Sequence, residues 1–345
     1  MSELLIVNLL IIFIIIFCVI YFFKKKTFFF LKILNYLFKI TDYYFSYKLT
    51  DKFLSKKIKE DSPYLYSKFA IIIQGPIILN DNFTEKTIIY YSKKYPKSPI
   101  IFSSWKKDIK KINKIFFKKN VYFIANEYPN YHGSLNINLQ SISTNNAILL
   151  AKKLKCNYVL KTRSDCRIGA DNFLSYFSYL VDFYKLKNNL KTKQKKRIIT
   201  TNFTLKHRLY GISDILMFGH IDDLYKYFNV TTSPILEKKH ILLKQKQKFK
   251  DSLFFLDKKF CTETYFFYEF FKKIDIKLRW SVKDYLKKIS ENFIILDNQT
   301  INLYWIKCSK VDRFFDDGTL ASNSEEFNFN EWLKFFYKFN SINSL

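Results

Sequence analysis

The sequence predicts an α/β fold, a mostly parallel sheet flanked by helices, carried behind an N-terminal transmembrane helix. Two observations predict it. From residue 69 onward, short apolar runs of β type alternate with helical patterns, which is how βαβ units read in sequence. Ahead of them, residues 4–23 are apolar except for Asn8. About 20 residues at about 1.5 Å each cross a hydrocarbon layer of about 30 Å.

The flanks give the anchor a direction. Glu3 precedes the apolar segment and Lys24, Lys25 and Lys26 follow it, the reverse of a signal peptide. A single-pass protein with its lysines and its globular domain in the cytoplasm is expected, with the short N-terminus outside. Residues 27–67 form an interfacial and linker segment: 28–49 interleave aromatic residues with Lys32, Lys39 and Lys48, and 52–67 are charged and carry Pro63. The aromatic stretch suits a helix in the headgroup layer, or a segment packed on the domain. The domain proper spans 68–345, in two halves, 68–220 and 221–345.

Composition narrows the function classes. Five cysteines, Cys18, Cys156, Cys166, Cys261 and Cys308, show no CxxC spacing and no nearby His pair, which argues against a disulfide scaffold and a zinc site. Reduced cysteines fit a cytosolic domain. Lys+Arg outnumber Asp+Glu by 58 to 30, but the lysines are scattered and enriched together with Ile, Asn and Phe. No nucleic-acid partner is expected from charges that form no stripe. Four N-x-S/T sequons, at Asn82, Asn202, Asn229 and Asn298, carry no weight in an Asn-rich chain facing the cytosol.

Along the domain, strands are predicted at 69–73, 99–104, 121–125 and 157–162. Asn82 and Glu85 are spaced as a capping box for a helix running to Tyr95. Further helices are expected at 106–119 and 141–154, and Asp171 is placed to cap one running through Tyr184. The basic tract 185–197 reads as a solvated loop, and strands follow at 198–203 and 213–218. Beyond them lie a Lys-rich stretch at 238–250, an aromatic helix at 262–273, a strand at 293–296 and an amphipathic helix at 327–339.

In an open parallel sheet, ligands sit beyond the carboxyl ends of the strands, so the residues following each run are informative. Gln74, Gly75 and Pro76 follow the first strand in a chain with only six glycines and six prolines. They read as a nucleotide-binding turn, with the Gln74 amide offered to a base or ribose, or as an ordinary strand-ending turn. Trp105 ends the second strand, where it can stack on a nucleobase or sugar or serve as core. Asn136, Asn138 and Gln140, ahead of the third helix, carry uncharged amides suited to ribose or sugar hydroxyls, or to capping.

The sharpest signal is the run 157–167, NYVLKTRSDCR, a buried strand ending in Lys161, Arg163, Asp165 and Arg167. Burying such charges costs several kcal/mol per ion unless they are paired or liganded. A nucleotide-sugar transferase needs an acid there to hold a divalent cation, Mn²⁺ or Mg²⁺, against the diphosphate, and cations to balance the leaving phosphate. Asp165 suits the first role, as metal ligand, and Arg163 the second. Asp214, opening an apolar strand, and Glu263, opening the aromatic helix, are the candidate catalytic bases for an acceptor hydroxyl. Each also reads as structural, Asp214 in a turn and Glu263 in a helix first turn.

Taken in order, 71–77, 100–105, the Asn/Gln-rich run, 158–168, 210–219 and 262–266 resemble the WavE-type lipopolysaccharide synthesis family over about residues 69–270. The family is similar to GT-A glycosyltransferases, with a Rossmann-like sheet and an acidic strand-end motif that binds the sugar-nucleotide diphosphate, usually through a metal. Arg163-Ser164-Asp165 stands where Asp-x-Asp is usual, so Lys161 and Arg163 take part of the metal's role. The resemblance implies a nucleotide-sugar donor, a glycan or glycolipid acceptor and a lipopolysaccharide or related polysaccharide as product. The contrasting reading is a non-enzymatic membrane scaffold binding anionic lipid or polyanion. A lipid-sugar phosphotransferase would need a phosphate-cradling Gly-rich loop, which the chain lacks.

Overall fold

The β-branched and aromatic runs form one seven-stranded sheet and a separate two-stranded ladder. The computed structural model describes residues 68–112, 118–187, 192–204, 208–235, 262–306 and 327–340. β1 (Phe69–Gln74), β2 (Ile100–Trp105), β3 (Val121–Asn126) and β4 (Tyr158–Arg163) build the parallel half in the order β3-β2-β1-β4. β6 (Ile198–Thr201), β7 (Leu216–His220) and β8 (Phe293–Leu296) continue it as β4-β7-β6-β8. β7 runs antiparallel to β4 and β6, and β8 is parallel to β6. The ladder pairs β5 (Cys166–Ile168) with β9 (Leu303–Trp305), antiparallel.

Every residue of β1 and β2 is buried. That is the signature of strands covered on both faces, and it explains why they begin as continuous apolar runs, Phe69 to Ile73 and Ile100 to Phe102, instead of alternating. The cover comes from α1 (Phe83–Lys94), α2 (Lys106–Ile109), α3 (Ile137–Lys153), α4 (Phe173–Phe183), α5 (Ile221–Phe228), α6 (Thr262–Lys273), α7 (Val282–Asn292) and α8 (Phe329–Asn340). In α6, Phe266, Phe267, Phe270 and Phe271 are spaced on one helical face and fully buried. Phe267 stacks on Phe293 of β8 with ring centroids 5.5 Å apart. At about 1.5–3 kcal/mol per buried aromatic, this face alone secures α6 to the sheet. α8 docks through Trp332, which is fully buried and donates Nε1–H to the Phe293 carbonyl at 2.9 Å.

Several local expectations change. Asn82 does precede α1, but in a left-handed conformation (φ 52°) with no side-chain cap, so the capping box does not form. The helix expected at 106–119 is only the short α2 before the chain turns, and 113–117 lie outside the described residues. α3 starts at Ile137 instead of 141 and takes Asn138 and Gln140 into its first turns. Asp171 pairs with Lys94 at 2.7 Å, and Asn172 is the residue preceding α4. The basic tract is not wholly solvated: Arg197 is fully buried, with its guanidinium 5.0 Å from the Phe336 ring and Nε–H donated to the Lys185 carbonyl. Among the described residues no helix is long and apolar enough to cross a membrane. The span predicted at 4–23, the segment 28–49 and the stretch 238–250 lie outside the described residues.

Candidate functional site

The chain lays β2 and β3 on one side of β1 and then crosses to place β4 on the other. That reversal opens a crevice at the carboxyl ends of β1 and β4, the topological switch point where open α/β sheets bind ligands. Register sets the strand ends level: Gln74 lies beside Ser103 of β2 and Arg163 of β4. A cleft of about 370 Å³ occupies this place.

Its floor is a turn locked from below. Gly75 has φ +126°, and a Cβ there would lie 2.7 Å from Ser164 Oγ, so the position requires glycine. Ser164 donates its amide to the Gln74 carbonyl at 2.8 Å and its hydroxyl to the Pro76 carbonyl at 2.6 Å. Thr84 of α1 donates to the Ser164 carbonyl at 3.1 Å and accepts from the Ile78 amide at 2.8 Å. The turn after β1 and the turn after β4 are thereby one rigid unit.

Trp105 ends β2 almost fully buried and stacks on Tyr128 at 4.3 Å, with planes 22° apart. Tyr128 is 41% exposed, so the pair presents an aromatic face to the cleft. The opposite wall is the entry to α3. Leu135 (φ 51°) and Asn136 (φ 63°) are consecutive left-handed residues, and Leu135 is 66% exposed. A leucine held there costs about 1 kcal/mol or more, and such strain concentrates at functional sites. Leu139 and Gln140, on the first turns of α3, complete the wall.

The charged end is a fork. Arg163 donates Nε–H and Nη2–H to the two carboxylate oxygens of Asp165 at 3.0 and 2.9 Å, and its guanidinium lies 5.4 Å from the Trp305 ring. Burial alone would lower the Arg163 guanidinium; the charge and hydrogen bonds of Asp165 outweigh it and hold it above its ordinary value. Beneath lies Lys161, with no exposed surface, donating to the Asp214 carbonyl and 5.1 Å from the Phe228 ring. Burial pushes its ammonium down to about 8, against the pull of Asp214. Burial and the neighbouring Asp165 raise the Cys166 thiol well above its ordinary value, which removes it as a thiolate nucleophile.

The profile of the WavE lipopolysaccharide synthesis family matches residues 69–344. The chain belongs to this family. The match runs past residue 270, where the sequence motifs end, and includes α8. Among curated proteins no relative matches. Among solved structures the WavE chain is similar to a cytidylyltransferase from Leptospira borgpetersenii, at 16% identity over 60% of this chain and 94% of that one, with a TM-score of 0.32. A likeness that distant bears on neither the site nor its chemistry.

Of the WavE chain's eleven residues singled out from sequence, Gln74, Gly75, Pro76, Trp105, Asn136, Gln140, Arg163 and Asp165 line this one cleft. Three do not. Asn138 is buried and spends its amide on Tyr131 and Thr232, accepting from the Thr232 amide at 2.8 Å, so it ties α3 to the loop after α5. Asp214 precedes β7 instead of opening it, and lies beneath the cleft, where its charge acts on Lys161 and Arg163. Glu263 sits 3.5 Å from Arg208 in the first turn of α6. Neither carboxylate is among the groups lining this cleft. Tyr128, Leu135 and Leu139 also line the cleft and went unnoticed in sequence, and Ser164, named there only as the middle of the strand-end motif, lines it too. The strand-end rule, applied after β3, would have reached Tyr128; the left-handed pair has no sequence signal.

The lining has one arginine and one aspartate, so it is formally neutral. A diphosphate bound there would need further positive charge, and a divalent cation fits that need. Asp165 is the lining carboxylate that would hold it, and one carboxylate suffices for Mg²⁺, which keeps several of its waters. No cluster of three or more His, Cys, Asp or Glu exists among the described residues to form a protein cage.

Proposed function

We propose that this WavE-family protein is a GT-A-like glycosyltransferase, moving a sugar from a nucleotide-sugar donor to a glycan or glycolipid acceptor in lipopolysaccharide synthesis. The observation that carries it is the convergence of strand-end residues from β1, β2 and β4 on the switch-point cleft. The face of Trp105 and Tyr128 suits a base or sugar ring, and the amides of Gln74, Asn136 and Gln140 suit ribose and sugar hydroxyls. Arg163, oriented by Asp165, presents its remaining N–H groups toward the diphosphate.

In the reaction the acceptor oxygen bonds the anomeric carbon while the bond from that carbon to the diphosphate breaks. The electron pair leaves on the nucleoside diphosphate, and the proton of the acceptor hydroxyl passes to solvent water. Mn²⁺ or Mg²⁺, when bound, neutralises charge on that leaving group. Asp214 acts at one remove, through Lys161, as a positioning residue. The apolar segment 4–23 anchors the protein in the membrane with this domain on the cytoplasmic side, where nucleotide sugars are made.

A thermal-shift panel of UDP, GDP, CMP and dTDP on the full chain, each with and without Mn²⁺, tests the reading. Stabilisation by one nucleotide, lost in Asp165→Asn, is the expected result. No stabilisation by any, together with salt-dependent liposome binding that ignores nucleotides, would replace it with an anionic-lipid scaffold.

A further inference from the structure

Two residues past Asp165 the same segment enters a second groove, of about 390 Å³, which the donor reading does not use. It lies between the start of α1 and the β5–β9 ladder, where Arg167 is in register with Tyr304. Arg167 is held flat by uncharged groups. Its guanidinium lies 4.5 Å from the Phe83 ring, Nε–H is donated to Thr87 Oγ1 at 2.9 Å, and Nη2–H to the Phe83 carbonyl at 3.2 Å. No carboxylate pairs with it among the described residues, in contrast to the fork at Arg163. Lys86 adds a second, exposed cation, and Asp81 is the one acid in the lining. Tyr304, 47% exposed, offers an aromatic face beside Phe83, and Asn302 offers an amide. An aromatic face with a polar rim is suited to a sugar ring, and a surplus cation held ready by neutral groups is suited to an anion.

We propose that this groove binds a sugar bearing a phosphate or carboxylate, the ring on Tyr304 and the anion on Arg167 and Lys86, as the acceptor subsite of the enzyme. The acceptor role rests on the transferase reading above. The two sites are mechanically joined: Thr84, on the helix that carries Phe83, Lys86 and Thr87, donates to the carbonyl of Ser164 in the floor of the cleft.

The test is equilibrium binding of the full chain to glucose 6-phosphate, glucuronate, glucose and inorganic phosphate. Both anionic sugars should bind about tenfold or more tighter than glucose, since charge-assisted hydrogen bonds are lost with the neutral sugar. Lys86→Ala, at an exposed side chain that leaves folding intact, should weaken them about threefold. Lys86→Ala with Arg167→Gln should bring them to the level of glucose. Tyr304→Ala should weaken the sugars about fivefold and leave inorganic phosphate unchanged. Equal binding of glucose and the anionic sugars, or anionic-sugar binding indifferent to both cation variants, would overturn the proposal. So would inorganic phosphate binding as tightly as glucose 6-phosphate with no effect of Tyr304→Ala, which describes a plain anion site. The nucleotide panel on the same sample separates the two readings. Nucleotide stabilisation without anionic-sugar binding sinks the groove alone; anionic-sugar binding without nucleotide stabilisation upholds a glycan site and removes its acceptor role.

Discussion

The switch-point cleft and the second groove draw on one short segment, Arg163 to Arg167, yet treat their arginines in opposite ways. In the cleft Asp165 takes both ends of the Arg163 fork, and the lining is formally neutral. In the groove Arg167 is steadied by a hydroxyl, a carbonyl and a ring, so its charge is not compensated locally. The cleft is also underpinned by a buried ammonium at Lys161, while the groove lies nearer solvent, with Lys86 and Tyr304 exposed. The difference teaches that pairing an arginine with a carboxylate fixes its geometry at the expense of its charge, whereas seating it on neutral groups fixes the geometry and keeps the charge. Entry to α1 and entry to α3 are otherwise built alike, each on two consecutive left-handed residues, Asp81-Asn82 and Leu135-Asn136.

The largest expected effect is at the fork. Asp165→Asn releases Arg163 and removes the one carboxylate of the lining, and donor turnover should fall by about 100-fold or more. Binding of glucuronate in the groove should not change; if both fall together, the two sites are not separate.

The next effect is in pH. Native Lys161 gives up its proton at about 8, against 10.5 for an ordinary lysine, so the unfolded chain holds more protons between those values. Stability contributed by this group therefore rises with pH across that window, by about 3 kcal/mol in all. Over the same range nucleotide binding should weaken as positive charge under the cleft is lost, while the groove, whose lining does not include Lys161, should lose less. Denaturant melts and nucleotide titrations at pH 7 and 9.5 measure both.

Gly75→Ala forces a side chain onto a positive-φ backbone and against Ser164 Oγ, and should cost about 2 kcal/mol in a urea melt. Lys86→Ala in the groove should move the same melt by less than about 0.5 kcal/mol. Tyr128→Ala removes the exposed half of the aromatic face and should weaken nucleotide binding by about tenfold without altering the groove. An equal loss from Leu139→Ala would move the aromatic contact to the other wall.

Strand positions were legible because β1, β2 and β4 are buried through their middles, so each opens on a short apolar run before its polar end. The cleft residues were legible for a related reason: polar side chains at the end of such a run have few structural uses, and the strand-end rule points to them. Helix starts were less so. Asn82, Asn136 and Asn172 all precede helices, but each does so through a left-handed backbone with no side-chain cap, a conformation that composition does not announce. Asn138 misled because an amide suited to a sugar hydroxyl is equally suited to a backbone loop, and only the arrival of Thr232 from distant sequence decides between them.

By itself, then, the sequence determined the α/β class, the order of the parallel strands' apolar runs, the family and the set of strand-end groups. It did so because burial period and strand-end polarity are local properties. The reversed β7, the pairing of Arg163 with Asp165 in place of a phosphate, and the isolation of Arg167 over Phe83 were decided by tertiary structure alone. Each depends on which charges and rings from remote segments come within a few ångströms, and electrostatic pairing at that range is set by packing that no local pattern encodes.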